Sequence, residues 1–109
     1  MFIDSKDGEL SYLVYGLVNE DKKIIYIGQT TNKLKVRVGQ HLSTNQTVSK
    51  YLSNNLDIQL KTIILYHYKR KYKNITKMLE KKEDFYLKKY KKLGYLLINK
   101  AKIKKLNLI

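Results

Sequence analysis

Four side chains suited to handling a phosphate fall between residues 14 and 41: Tyr15, Tyr26, Arg37 and His41. Two phenols, a guanidinium and an imidazole on so short a stretch point to chemistry rather than to the filling of a core. Each tyrosine belongs to a short string with a glycine, Val14-Tyr15-Gly16 and Tyr26-Ile27-Gly28, and glycine lets another group come close to the backbone. Cutting a phosphodiester needs an activated water, positive charge on the phosphate and help for the leaving oxygen. Arg37 supplies a planar fork of donors that stays charged at any working pH. Tyrosine is a poor base at its ordinary pKa of about 10, but nearby cations favour the phenolate. An imidazole such as His41 can tune a neighbouring phenol or relay its proton. Taken singly, each group has a plainer role. The chain holds 10 tyrosines, most of them suited to strand packing. Arg37 alone would be an exposed helix arginine, and His41 alone a helix C-terminal cap. Only the joint spacing lifts the four above that background.

These residues need elements to position them. Residues 12–18 (YLVYGLV) and 23–29 (KIIYIGQ) are β-branched, aromatic and aliphatic, and read as two strands joined by the polar turn Asn19 to Lys22. Thr30, Thr31 or Asn32 is placed to cap a helix starting near Lys33. Along it Leu34, Val38 and Leu42 form a narrow apolar stripe, with Arg37 and His41 on a neighbouring strip. A short helix is expected over about 47–55 and a third strand over 57–66. The longest helix is expected over 74–92, with Gly94 as terminator and a short return strand over 95–98. The predicted fold class is α+β, a small central mixed or antiparallel sheet of about three strands flanked by helices. One domain spans 1–109, with a basic tail over 100–109.

A carboxylate to hold a cation is the missing part. Of the acids, Asp4, Asp7, Glu9, Glu20 and Asp21 occupy terminal or turn positions, and Asp57 fits a strand start. Glu80, Glu83 and Asp84 share the long helix. Successive residues there turn by about 100°, which places Ile75, Leu79, Tyr86, Tyr90 and Leu93 on one face, widened by Met78, Phe85 and Leu87. Glu83 falls inside that apolar arc, whereas Glu80 and Asp84 fall outside it. A carboxylate on a core-facing stripe is costly and calls for a partner, a metal or a function. Glu83 is the expected ligand, Glu80 the runner-up, and a lysine salt bridge the plain alternative.

The ordered set resembles the GIY-YIG nuclease family. Its first motif stands here as Leu13-Val14-Tyr15, its second as Tyr26-Ile27-Gly28, followed by Gln29-Thr30 and Leu34-x-x-Arg37-x-x-x-His41. Glu83 with Leu87 is similar to the family's Glu-x-x-x-Ile pattern, and Asn99 to its late asparagine, so the resemblance covers roughly residues 12–99. Leu13 departs from it, standing where the first motif usually begins with glycine. The resemblance implies an endonuclease that hydrolyses DNA phosphodiester bonds with one divalent cation, Mg²⁺ or Mn²⁺, held by Glu83. It implies Tyr15 as general base, Tyr26 as orienter of phosphate or water, Arg37 on the phosphate, His41 as partner of Tyr15, and Asn99 as a further orienter.

The composition agrees with a polyanionic partner. The chain has 23 Lys and Arg against 9 Asp and Glu, a formal charge of +14, a field that captures nucleic acid irrespective of sequence. From Lys69 to Lys92 there are eleven basic and three acidic residues. The expected nucleic-acid contacts are Gly28, Thr30, Lys69, Arg70, Lys71, Lys73, Lys88 and Lys89. DNA is the expected substrate, with RNA left open, as is the choice between monomer and homodimer. There is no cysteine to form a disulfide or act as a thiol nucleophile, no signal-like N-terminus and no apolar run near the roughly 20 residues that span a bilayer. An intracellular protein, with no membrane as partner, is expected. Two rival readings share these features: a non-catalytic nucleic-acid-binding module, and a catalytic subunit directed by a targeting partner.

Overall fold

The two motif strings form the centre of a sheet. In the computed structural model, which describes residues 5–41, 47–55 and 57–99, β1 (Leu13–Asn19) pairs antiparallel with β2 (Ile24–Thr30). Six of the seven β1 residues are buried. That near-continuous burial is what a strand covered on both faces requires, and the run Leu-Val-Tyr-Gly-Leu-Val provides it. The hairpin turn closes through Asn19, whose Oδ1 accepts from the Lys22 N–H at 3.0 Å, with Lys23 in the left-handed region at φ 52°.

Four strands form the sheet, in the order β3-β1-β2-β4, with β3 at Lys61–His67 and β4 at Leu96–Leu97. This corrects the expected count of about three. The fourth is only two residues long and runs parallel to β2, so the sheet is mixed. β3 starts later than the sequence suggests, but the residues leading into it still bury Ile58 and Leu60. Between Val14 and Tyr15 the β1–β3 register slips by one residue, a bulge at Leu65. The Tyr86 hydroxyl donates to the Leu65 carbonyl at 2.9 Å.

Helices cover both faces. On one, α2 (Leu34–His41) and α3 (Thr47–Asn54) pack Leu34, Val38 and Val48 against Leu13, Tyr15, Leu17 and Ile24. On the other, α4 (Ile75–Lys92) packs Ile75, Leu79 and Leu87 against Val14, Val18, Ile25 and Ile27. The alternation along β1 divides the two cores residue by residue. α4 ends as expected at Gly94, which takes φ 87°. The Tyr95 N–H reaches back to the Tyr90 carbonyl and the Gly94 N–H to that of Lys91, both at 3.1 Å, a Schellman closure. Phe85 and Leu93, assigned to the apolar arc of this helix, are instead mostly exposed, because the arc that meets the sheet is narrower than the wheel suggests.

A short helix at Ser5–Gly8, α1 in chain order, has no counterpart in the sequence reading. The segment after it is joined to the start of α2 by the Leu34 N–H to Leu10 carbonyl bond at 2.8 Å. Leu42 and the tail 100–109 lie outside the described residues. Among the described residues no helix is long and apolar enough to cross a membrane.

Candidate active site

The β1–β2 register sets Tyr15 directly opposite Gly28, and that pairing makes room for the site. A Cβ at Gly28 would meet the Tyr15 hydroxyl at 2.6 Å and Cζ at 2.7 Å, closer than side-chain atoms approach. The group that comes close to this glycine is therefore the phenol of the other motif. Tyr15 is wholly buried, and its hydroxyl meets His41 Nε2 at 2.5 Å. Tyr26, half-buried on the same face, stands its ring edge-on to the His41 imidazole, centroids 4.7 Å apart.

α2 brings the other two groups. Its buried row is Leu34, Val38 and His41, so His41 reaches the tyrosines from the last turn. Arg37, one turn earlier, is half-buried, and its Nη1 donates to Gln40 Oε1 at 3.3 Å. Burial raises the pKa of Tyr15, with a smaller push from Tyr26, while the Arg37 guanidinium acts in the opposite sense. Tyr26 follows the same pattern, raised by burial and opposed by Arg37. Burial first, and Arg37 second, push His41 down to about 4. At neutral pH the resting pair is therefore a phenol and an imidazole, and Arg37 favours the phenolate whenever a proton leaves. His41 Nδ1 is buried with no hydrogen-bond partner among the described residues.

The Asn99 side chain is committed to the backbone of β2. Its Oδ1 accepts from the Ile27 N–H at 3.0 Å and its Nδ2 donates to the Ile27 carbonyl at 2.5 Å. The side-chain amide continues the β4 edge of the sheet one step past the strand itself. It holds the residue between Tyr26 and Gly28, a positioning role that the sequence alone does not reveal. Thr30 is similarly committed: it is buried, and its Oγ1 accepts from the Asn32 N–H at 3.0 Å in the turn into α2.

Glu83 comes from the other layer. It lies on the buried row of α4 with Ile75, Leu79 and Leu87 and is 3% exposed, as the helical wheel predicts, while Glu80 is exposed. Among the described residues no three His, Asp or Glu gather into a cluster that could cage a metal. A site with one carboxylate ligand suits a hard ion such as Mg²⁺, which takes one or two protein oxygens and otherwise keeps its waters. The donor set fits that class of cation and not a transition metal that needs several nitrogen or sulfur ligands. Lys69, Arg70, Lys71, Lys73, Lys88 and Lys89 are all exposed; the first four lie on the loop from β3 to α4.

The family model of the GIY-YIG catalytic domain matches residues 11–100. The chain belongs to the GIY-YIG family. Neither the comparison with curated proteins nor that with solved structures returns a match. Membership carries endonuclease function with DNA as substrate, and the α+β sandwich around a small mixed sheet agrees with that fold. Leu13, in place of the leading glycine of the GIY string, is fully buried against the α2/α3 core and pairs with Thr30 and His67. The GIY-YIG glycine with a steric duty at the phenol is therefore Gly28. The bulge beside Tyr15 left no signal in the sequence, since only pairing with β3 reveals it.

Proposed function

We propose that this chain hydrolyses DNA phosphodiester bonds with Tyr15 as general base, Arg37 on the phosphate and Glu83 as the single protein ligand of one Mg²⁺. The observation that supports it most is the Tyr15 hydroxyl on His41 Nε2 at 2.5 Å, beside a guanidinium that acts on both phenols. In the resting pair Tyr15 donates to Nε2, so the imidazole carries its own proton on Nδ1. As the attacking water gives a proton to the Tyr15 oxygen, Tyr15 passes its own to Nε2. The relay avoids a free phenolate, which burial disfavours, and the imidazolium formed instead is transient, since burial and Arg37 disfavour it in turn. Tyr15 is 0% exposed, so the water it serves enters as DNA seats. Tyr26, more open, orients that water or the phosphate, and Arg37 neutralises the charge that grows on the phosphoryl oxygens. A Mg²⁺ held by Glu83 would supply Lewis-acid stabilisation of the negative charge that develops in the reaction.

Substitution Glu83→Gln tests the assignment, because the amide keeps the shape and loses the charge. Nicking of supercoiled plasmid should disappear while DNA binding persists, since the field of +14 loses no cation. Cleavage that survives Glu83→Gln moves the metal role to Glu80. Wild-type protein with Mg²⁺ that leaves plasmid, linear duplex and branched DNA intact would favour the non-catalytic binding module or the partner-directed subunit.

A further inference from the structure

The end of β3 and the loop after it carry a cluster that the proposed hydrolysis does not use. Tyr66 and Tyr68 stand 4.8 Å apart between ring centroids, and Tyr68 and Tyr72 5.9 Å apart. Tyr66 is one of the exposed large hydrophobic residues at 36%, on a strand that forms one edge of the sheet. Cations already lie over two of the rings: Lys82 Nζ is 4.3 Å from the Tyr66 centroid, and the Arg70 guanidinium 5.0 Å from that of Tyr72. The sequence from Tyr66 to Leu79 contains no acidic residue. Core packing accounts for part of this, since Tyr68 and Tyr72 lean on the α4-side core. It does not account for the exposed ring of Tyr66, nor for rings alternating with cations.

We infer that this surface is a stacking platform for unpaired DNA bases, which makes a duplex with a single-stranded branch or tail the substrate class of the neighbouring site. Every base presents a π-face, so aromatic rings hold unpaired strands without sequence preference, while interleaved cations follow the backbone. A paired base keeps its faces inside its own stack and gains nothing here. Lys82 and Arg70 give up their ring faces to a base when they move to phosphate. Tyr66 pairs with Val14, whose side chain faces α4, and Tyr68 and Tyr72 pack on the same core, so the platform shares the α4 layer with Glu83 and lies across the sheet from Tyr15. A single strand that rests on the platform must round this end of the sheet to reach the phenol.

The inference rests on the DNA substrate of the proposed function but not on catalysis, and its test is run with EDTA present so that nothing is cut. Affinity is measured for one duplex bearing a single-stranded thymidine tail and for the same duplex bearing an abasic tail of equal length and charge. The base-bearing tail should bind roughly tenfold tighter, the order of one stacked base. The double substitution Tyr66→Leu and Tyr72→Leu should erase that difference, whereas Tyr66→Phe with Tyr72→Phe should keep it. A 2-aminopurine in the tail should lose fluorescence on binding to wild type and to the phenylalanine variant only. Equal affinity of wild type for the two tails overturns the platform, as does an equal loss on both tails in the leucine variant. Discrimination between tails by a protein that cleaves nothing keeps the platform and removes the hydrolysis.

Discussion

On the α2/α3 face Tyr15 is fully buried with its hydroxyl on an imidazole; on the α4 face Tyr86 is half-buried with its hydroxyl on the Leu65 carbonyl. Both are tyrosines whose hydroxyl is hydrogen-bonded, one in each layer. The difference lies in the partner. A carbonyl only accepts, so the Tyr86 bond fixes a bulge and its proton has nowhere to go. Imidazole Nε2 can take a proton and return it, so the Tyr15 bond can move charge. Burial of a phenol is therefore uninformative until its partner is known.

The largest effect should come from removing each hydroxyl in turn. Tyr15→Phe should lower the cleavage rate on the order of 10²–10⁴-fold, the usual worth of a positioned proton acceptor, with DNA affinity unchanged. Tyr86→Phe should leave cleavage within a few fold of wild type. Equal losses in the two would make Tyr15 a packing residue like its counterpart.

Acid sensitivity should also separate the layers. His41 in the folded protein is pushed from 6.5 down to about 4, so between those pH values the unfolded chain binds the proton more readily. Stability contributed by the neutral, buried imidazole is present above pH 6.5 and is lost as pH falls toward 4. The full shift corresponds to about 3 kcal/mol. Urea unfolding across this window should show that slope, and His41→Gln should flatten it. The same variant should also lower cleavage at every pH, because glutamine cannot take the proton that Tyr15 passes to Nε2. A slope that survives His41→Gln would assign it to the carboxylates.

The smallest contrast is between the two motif glycines. A Cβ at Gly16 would meet Ile25 Cδ1 at 3.1 Å and Ile63 Cγ1 at 3.2 Å, on the α4 side, where flexible side chains can give. At Gly28 it would meet a hydroxyl and ring carbon under 3.0 Å, held in place by His41. Gly28→Ala should cost about 1–3 kcal/mol and Gly16→Ala less, both measured by thermal unfolding. Gly28→Ala should also depress cleavage beyond its effect on stability, because the phenol must move.

Elements governed by local pattern were legible in the sequence. The β-branched runs marked β1 and β2, Gly94 marked the end of α4, and the wheel put Glu83 on the buried row where it is found. What depends on pairing between distant segments was not. The opposition of Tyr15 and Gly28 needs the hairpin register, the Leu65 bulge needs β3, and the return strand expected over 95–98 gave no sign that it would pair parallel to β2. Phe85 and Leu93 show the converse limit: apolar residues at helical spacing do not reveal how wide a strip the sheet will cover.

The clasp of Asn99 on Ile27 joins residues 72 positions apart. The strand that carries Tyr26 and Gly28 is made well before the residue that fastens its outer edge. Until that asparagine has left the ribosome, the amide and carbonyl of Ile27 have only water to bond. A nascent chain therefore carries every tyrosine of the site without the fixed geometry to use them. The geometry around Tyr26 and Gly28 thus waits on a residue far along the chain from the tyrosines it serves.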